Sequence, residues 1–241
     1  MTAVPHDDAA APVALVTGAS QGIGAAIARE LASRGYRLAI LARSEALVGV
    51  AESIGALPVR GSMTEVADLK RLVDTAVDAF GRIDVMINNG GHTMTGDLLE
   101  IADTDWHEGL DLVLLNVVRA ARLVTPVMQS TGGGSIVNVS TFAALDPVAD
   151  FPVSATLRAG LAAFTRLYAE RYGRDGIRMN NLLPGMIDNW PENPDTTART
   201  ALGRYGTLDE VAATAAFLAG HESSYVTGQN IRVDGGLARF F

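Results

Sequence analysis

The sequence predicts an α/β fold, a parallel and doubly wound sheet with helices on both faces. Three observations point to it. Short apolar runs alternate with segments of helical spacing along the 241 residues. The first apolar run ends in a glycine-rich turn that opens a helix. The composition is 48% hydrophobic, ample for one substantial core and far from that of a disordered chain.

The elements follow in order. Residues 13–17 form the first apolar strand, and residues 23–33 a helix that Gly35 stops. Residues 37–42 give a second strand, 44–53 a helix and 57–61 a third strand. Residues 66–80 are helical up to Gly81, and 83–87 form a fourth strand closed by Asn88-Asn89-Gly90-Gly91. Residues 104–128 read as one long helix and 135–140 as a fifth strand. Residues 153–172 form a second long helix, 177–183 a sixth strand, 208–219 a helix and 230–233 a final strand. Residues 1–11 are expected to be a flexible tail, and 12–241 a single domain without linker or repeat. The one long irregular stretch is 184–200, and loops of that length in a compact domain are usually lids or disordered.

Composition excludes several functions. A net charge of −8 disfavours nucleic acid and anionic membrane surfaces as partners. Without cysteine there is no disulfide, thiolate metal site or cysteine nucleophile, and the four histidines show no metal-ligand spacing. No stretch reaches the ~18 apolar residues of a membrane span, and the N-terminus does not read as a signal peptide. A soluble cytoplasmic protein acting on a small molecule is the expectation.

Residues 17–24 read Thr-Gly-Ala-Ser-Gln-Gly-Ile-Gly. After a strand and before a helix, such a turn points backbone N–H groups and the positive end of a helix dipole at a pyrophosphate. Gly18 permits the tight turn, Gly22 lets backbone approach the phosphates, and Gly24 lets the helix pack on the sheet. Ser20, Gln21 and Ile23 complete the segment. The spacing differs from the standard Gly-x-Gly-x-x-Gly fingerprint, so its place after an apolar strand carries the reading.

With that turn, Asn88-Asn89-Gly90-Gly91, Asn116, Pro184-Gly185 and Val233-Asp234-Gly235-Gly236 in this order, the chain resembles the short-chain dehydrogenase/reductase family over about residues 12–237. The family usually has Ala at position 90. The resemblance implies a Rossmann-type sheet of seven strands and a homo-oligomer, a tetramer or dimer, built on the two long helices. Leu157, Leu161, Phe164 and Tyr168 make a stripe on the second of those helices, suited to core or interface. The resemblance also implies a nicotinamide dinucleotide held by the glycine turn, Asn89, Gly90, Pro184, Gly185 and Ile187, with Arg158 available to its ribose hydroxyls. At the end of the second strand, where an acidic residue would bind the ribose 2′-OH, stand Ala42 and Arg43. A guanidinium there pairs with a 2′-phosphate, which favours NADP(H) over NAD(H). Gln21 counts against this, since many NADP-dependent relatives carry a basic residue within the turn. Ser62 stands where relatives often have an adenine-contacting Asp.

The family's chemistry is hydride transfer between nicotinamide and a carbonyl or alcohol carbon, assisted by Ser, Tyr, Lys and Asn. By spacing, Asn116 is retained and Thr141 falls on the Ser position, with Ser140 one register away. Ser154 falls on the Tyr position and Arg158 on the Lys position, within Arg158-Ala-Gly-Leu. The only lysine, Lys70, belongs to the adenine side. Tyr168, the nearest downstream tyrosine, lies roughly 21 Å along the helix. Losing a positioned general acid costs ~10²–10⁴ in rate. His92 is the best titratable candidate to supply a proton. Asp146, Asp150, Asp188 and Trp190 belong to segments that line the substrate pocket in such folds. The favoured reading is an atypical NADP(H)-dependent oxidoreductase acting on a carbonyl, imine or related small molecule without the usual tyrosine. An iminium substrate would need no proton donor, and nearby carboxylates would stabilise its cation. The alternatives are a non-catalytic NAD(P)-binding subunit partnering an active relative and, last, a cofactor-independent lyase. The lyases that resemble this family keep the Tyr and fill the glycine turn, the reverse of this pattern.

Overall fold

The structure, a computed structural model, describes residues 11–238. The expected tail at 1–11 lies almost wholly outside them. Seven parallel strands form one sheet in the order β3-β2-β1-β4-β5-β6-β7. They are β1 Val13–Thr17, β2 Arg37–Ala42, β3 Leu57–Arg60, β4 Val85–Asn89, β5 Gly134–Val139, β6 Ile177–Pro184 and β7 Asn230–Val233. Helices α1 Gly22–Ser33, α2 Ala46–Ile54, α3 Val66–Phe80, α4 Asp103–Leu110, α5 Asn116–Thr131, α6 Pro152–Tyr172, α7 Pro194–Thr197 and α8 Leu208–Ala219 connect or follow them. The predicted Rossmann-type architecture holds. The strand order reverses at β1, so the carboxyl ends of β1 and β4 flank a crevice, the place where such sheets bind ligands.

Two apolar clusters bury the two faces of the sheet. One joins α1, α2 and α8 to Val16, Ile40 and Ile87; the other joins α3, α5 and α6 to Leu15, Leu41 and Met86. Such strands are apolar on both sides, so they lack the alternation that marks a half-exposed sheet. No helix among the described residues is long and apolar enough to cross a membrane.

Three elements differ from the sequence reading. The expected helix at 104–128 is broken by a π-helical turn, Asp111–Leu115, that separates α4 from α5. Its extra residue per turn rotates the start of α5, and Asn116 is the first residue after it. Arg119 braces the turn, pairing with Asp111 at 2.6 Å and donating to the Thr64 carbonyl at 2.9 Å. The fourth strand starts and ends two residues later than expected, with Asp84 held outside it by Arg82 and by the Val13 amide. Residues 184–200 are anchored rather than loose. Ile187 bridges to Gly206, the Asn193 amide donates to the Tyr205 hydroxyl, and α7 adds one helical turn.

Within the sheet, Asn88, Asn138, Asn181 and Asn230 occupy matching register positions on β4 to β7. Asn88 donates to Asn138 at 2.8 Å, Asn138 to Asn181 at 2.9 Å and Asn181 to Asn230 at 2.8 Å. Thr165 on α6 joins them through Asn181. Asn138 and Asn181 are buried, and their amides find partners in one another.

Of the stripe on α6, Leu161 and Tyr168 are buried within a single chain, while Leu157 and Phe164 are half-buried. The Tyr168 hydroxyl meets Thr125 in the core and is committed there.

Candidate functional site

The crevice opens as a cleft of about 1410 Å³ along the ends of β1, β2, β3 and β4. Its floor is the glycine turn. Gly18 has φ +62°, and a Cβ there would lie 2.6 Å from the Asn89 carbonyl oxygen, so only glycine fits. Gly22, with φ +54°, faces the cleft beneath Asn189. A Cβ at Gly24 would meet the Gly18 carbonyl at 2.3 Å, which is how α1 packs directly on the turn. Asn89 braces the same turn from β4. Its amide group donates to the Gly18 carbonyl at 3.2 Å, and its backbone N–H donates to Thr17 Oγ1 at 3.0 Å. The result is an open cradle of backbone at a helix N-terminus, which fits a pyrophosphate.

Ser20, Gln21, Ile23, Arg43, Ser62, Gly90 and His92 line the same cleft. Arg43 is exposed, and no described residue pairs with its guanidinium. A free cation at that end of the cleft fits an anionic group. The Ser62 amide donates to Asp68 at 2.7 Å and its hydroxyl meets Thr64, so the loop after β3 is held from behind by Asp68.

The remaining predicted residues lie outside this cleft. Pro184 ends β6, the Gly185 amide donates to Val233 at 2.9 Å, and Ile187 is buried at its bridge to Gly206. Asn116 turns its side chain toward Met63 and accepts from the Val117 amide at 2.6 Å. Thr141 caps the short turn Phe142–Ala144 through the Ala143 amide. The Ser140 hydroxyl is buried and has no partner among the described residues.

Arg158 and Ser154 form a pair one helical turn apart on α6. Arg158 Nε donates to Ser154 Oγ at 3.2 Å, and Nη1 donates to the Val139 carbonyl at 2.9 Å. The guanidinium is buried, and no carboxylate pairs with it among the described residues. Burial pushes its pKa down to about 10, so it stays charged near neutral pH. The same site acts on His92, whose pKa is lowered by partial burial and by the Arg158 charge. His92 therefore lies within the field of Arg158, which links the dinucleotide-shaped cleft to the Ser154 corner.

Asp150 and Asp188 do not converge there. Asp150 faces Asp97 in a separate cavity of about 570 Å³, and Asp188 accepts from the Leu208 amide at 3.2 Å. Trp190 instead meets His92 edge to face, with ring centroids 4.8 Å apart, across the cleft. Sequence reasoning missed Asn189, Met63 and Arg119, which also line the cleft. Arg119 carries no signal in the sequence because its position depends on the π-helical turn.

Comparison with known proteins gives the same picture. The family described as Enoyl-(Acyl carrier protein) reductase matches residues 18–238. The 3-oxoacyl-[acyl-carrier-protein] reductase FabG of Thermotoga maritima is 34% identical, covering 93% of this chain and 97% of its own. The structure of YwfH, an NADPH-dependent reductase involved in bacilysin biosynthesis, superposes with a TM-score of 0.91 at 26% identity, over 96% of this chain and all of that one. L-sorbose reductase from Gluconobacter frateurii, complexed with NADPH and L-sorbose, gives 0.87 at 27% identity, over 96% and 98%. With the crevice, the glycine cradle and these matches across nearly the whole chain, this protein belongs to the short-chain dehydrogenase/reductase family of oxidoreductases.

Proposed function

We propose that this protein is an NADP(H)-dependent reductase of a small-molecule carbonyl, and that Arg158 and Ser154 serve the substrate oxygen in place of a tyrosine acid. The observation that carries the reading is the buried Arg158 guanidinium, unpaired by any described carboxylate and bonded to Ser154.

On this reading Gly18, Ser20, Gln21, Gly22, Ile23 and Gly24 hold the pyrophosphate, Arg43 the 2′-phosphate and Ser62 the adenine side. Asn89, Gly90, Pro184, Gly185 and Ile187 serve the nicotinamide half. The NADPH named in the structures of similar proteins supports the choice of phosphate. A bound reduced nicotinamide supplies the hydride to the carbonyl carbon. The chain's own residues then act on the oxygen. Because Arg158 Nε–H occupies a lone pair of Ser154, the serine proton is free to point at a substrate oxygen. Negative charge growing on that oxygen is met by a preorganised cation in a water-poor corner, where such an interaction is strongest. The oxygen finally takes a proton through the Ser154 hydroxyl, which water replenishes. Thr141 supplies a second hydroxyl, and Asn116 marks the start of α5 beside Met63.

The same cation argues against an iminium substrate. A positive substrate beside a buried guanidinium that no described carboxylate pairs with would be repelled, and Asp150 and Asp188 are engaged elsewhere, Asp150 lining a separate cavity and Asp188 accepting from the Leu208 amide. It also disfavours His92 as the acid, since partial burial and the Arg158 charge both lower its pKa and so weaken the charged, proton-carrying form. His92→Gln is expected to leave kcat within about threefold, far from the ~10²–10⁴ loss that follows removal of a general acid.

The direct test is steady-state carbonyl reduction with NADPH. Arg158→Ala is expected to lower kcat by about 10²-fold or more, the loss typical of a missing oxyanion donor. Arg158→Lys should restore part of it. An Arg158→Ala enzyme as fast as the wild type would contradict the assignment.

A further inference from the structure

Beside the free Arg43, at the carboxyl ends of β2 and β3, lies a second arginine that the cofactor reading does not use. Arg60 is the last residue of β3 and pairs in register with Ala42, so its side chain emerges next to Arg43. It forms an ion pair with Glu45 and donates to the Arg43 carbonyl at 3.4 Å. Glu45 and Arg60 are both well exposed. Arg71 holds the Arg60 backbone carbonyl at 2.5 Å, so the backbone is fixed while the side chain lies exposed.

Resting on the NADP(H) reading above, we propose that Arg60 is a second 2′-phosphate ligand and that Glu45 competes with the phosphate for it. The physical case is an exchange of partners. An exposed Arg–carboxylate pair is worth little, because water and salt screen it and two long side chains must be ordered. A ribose 2′-phosphate carries nearly two negative charges and several acceptor oxygens, and a guanidinium fork grips it bidentately. With Arg43 free on one side and Arg60 weakly held on the other, the phosphate draws Arg60 off Glu45. Glu45, two residues beyond Arg43, then opposes the phosphate by its own charge. NADH brings a hydroxyl instead and leaves the Arg60–Glu45 pair closed. Glu45 thus limits how strongly the site prefers the phosphorylated cofactor.

The test uses the full chain and the fluorescence of bound reduced nicotinamide, with Kd for NADPH and NADH measured in parallel. Arg60→Gln should weaken NADPH by about tenfold and leave NADH within about twofold. Glu45→Gln should tighten NADPH by about threefold to tenfold, again sparing NADH. In the double variant the gain from Glu45→Gln should shrink, because its competitor is gone. Adenosine 2′,5′-bisphosphate against adenosine 5′-monophosphate, used as competitors, should show the same pattern without the nicotinamide. An unchanged NADPH Kd in Arg60→Gln, or a weakened NADH Kd in Glu45→Gln, would overturn the proposal, the latter by making Glu45 a ribose-hydroxyl acceptor. A wild-type protein that prefers NADH would instead defeat the underlying cofactor reading, so the two failures are distinct.

Discussion

At the residue scale, the site is defined by one charge and two hydroxyls. Arg158 is expensive to bury, and its bonds to Val139 and Ser154 only partly offset that cost. Its pKa near 10 gives a signed prediction. Activity that depends on the guanidinium charge should persist through neutral and mildly alkaline pH and fall as pH rises through about 10. A kcat profile that is flat to higher pH, or that drops near the ordinary histidine range, would point to a different group. Ser140 gives the opposite kind of test. Its hydroxyl is buried without a partner among the described residues, so Ser140→Ala should leave stability unchanged or raise it by up to ~1 kcal/mol, as read by urea unfolding. A loss of more than ~1 kcal/mol would mean that the hydroxyl is satisfied after all. The placing of Ser154 and Arg158 on one helix was legible in the sequence, because residues 153–172 carry helical spacing. Their contact with each other, and the absence of a carboxylate beside Arg158, depend on tertiary structure and were not.

At the element scale, local rules set most helices and fail at one. Gly55, Gly81 and Gly132 end α2, α3 and α5 in left-handed conformation, as glycine after a helix allows. Helix α8 opens with a capping box, in which Thr207 accepts from the Glu210 amide and Glu210 accepts from the Thr207 amide. The Arg204 side chain, with the Thr207 amide behind it, holds the Glu210 pKa down to about 2. The Glu210 carboxylate's share of the cap is therefore complete above the ordinary carboxylate range and is lost as pH falls toward about 2, while the Thr207 hydroxyl bond remains. Thr207→Ala should cost about 1 kcal/mol of unfolding free energy, checked by chemical denaturation near neutral pH. The π-helical turn 111–115 is the element the sequence hides. Apolar spacing over five residues hardly distinguishes it from an α-helix, yet it decides where Asn116 and Arg119 face. Trp190 was legible only as part of a pocket-lining segment, because a segment without period gives no direction; it lines the cleft and packs on His92.

At the scale of the whole molecule, the alternation of strands and helices made the sheet and its crevice readable, but strand register was not. Both faces of the sheet are apolar, so a shift of one residue carries no inside-outside penalty of the usual kind. The paired asparagines on β4 to β7, of which Asn88, Asn138 and Asn181 are buried, supply that penalty, since a slipped strand would leave their amides unpaired. They also join the strand that braces the glycine turn to the strand that receives Arg158. Asn138→Ala should lower stability by roughly 2–4 kcal/mol, because partners on both sides lose their bonds. Calorimetry that shows a loss below ~1 kcal/mol would remove the asparagines from this role. The central claim, however, is chemical. The most direct measurement follows loss of reduced-nicotinamide absorbance when the full chain is mixed with NADPH and a panel of small ketones and ketoses, for wild type and Arg158→Ala, with NADPH Kd measured alongside. Carbonyl reduction by the wild type, falling about 10²-fold or more in Arg158→Ala while NADPH still binds, is the result this structure predicts. NADPH binding with no carbonyl turnover by the wild type, or turnover indifferent to Arg158, would contradict it.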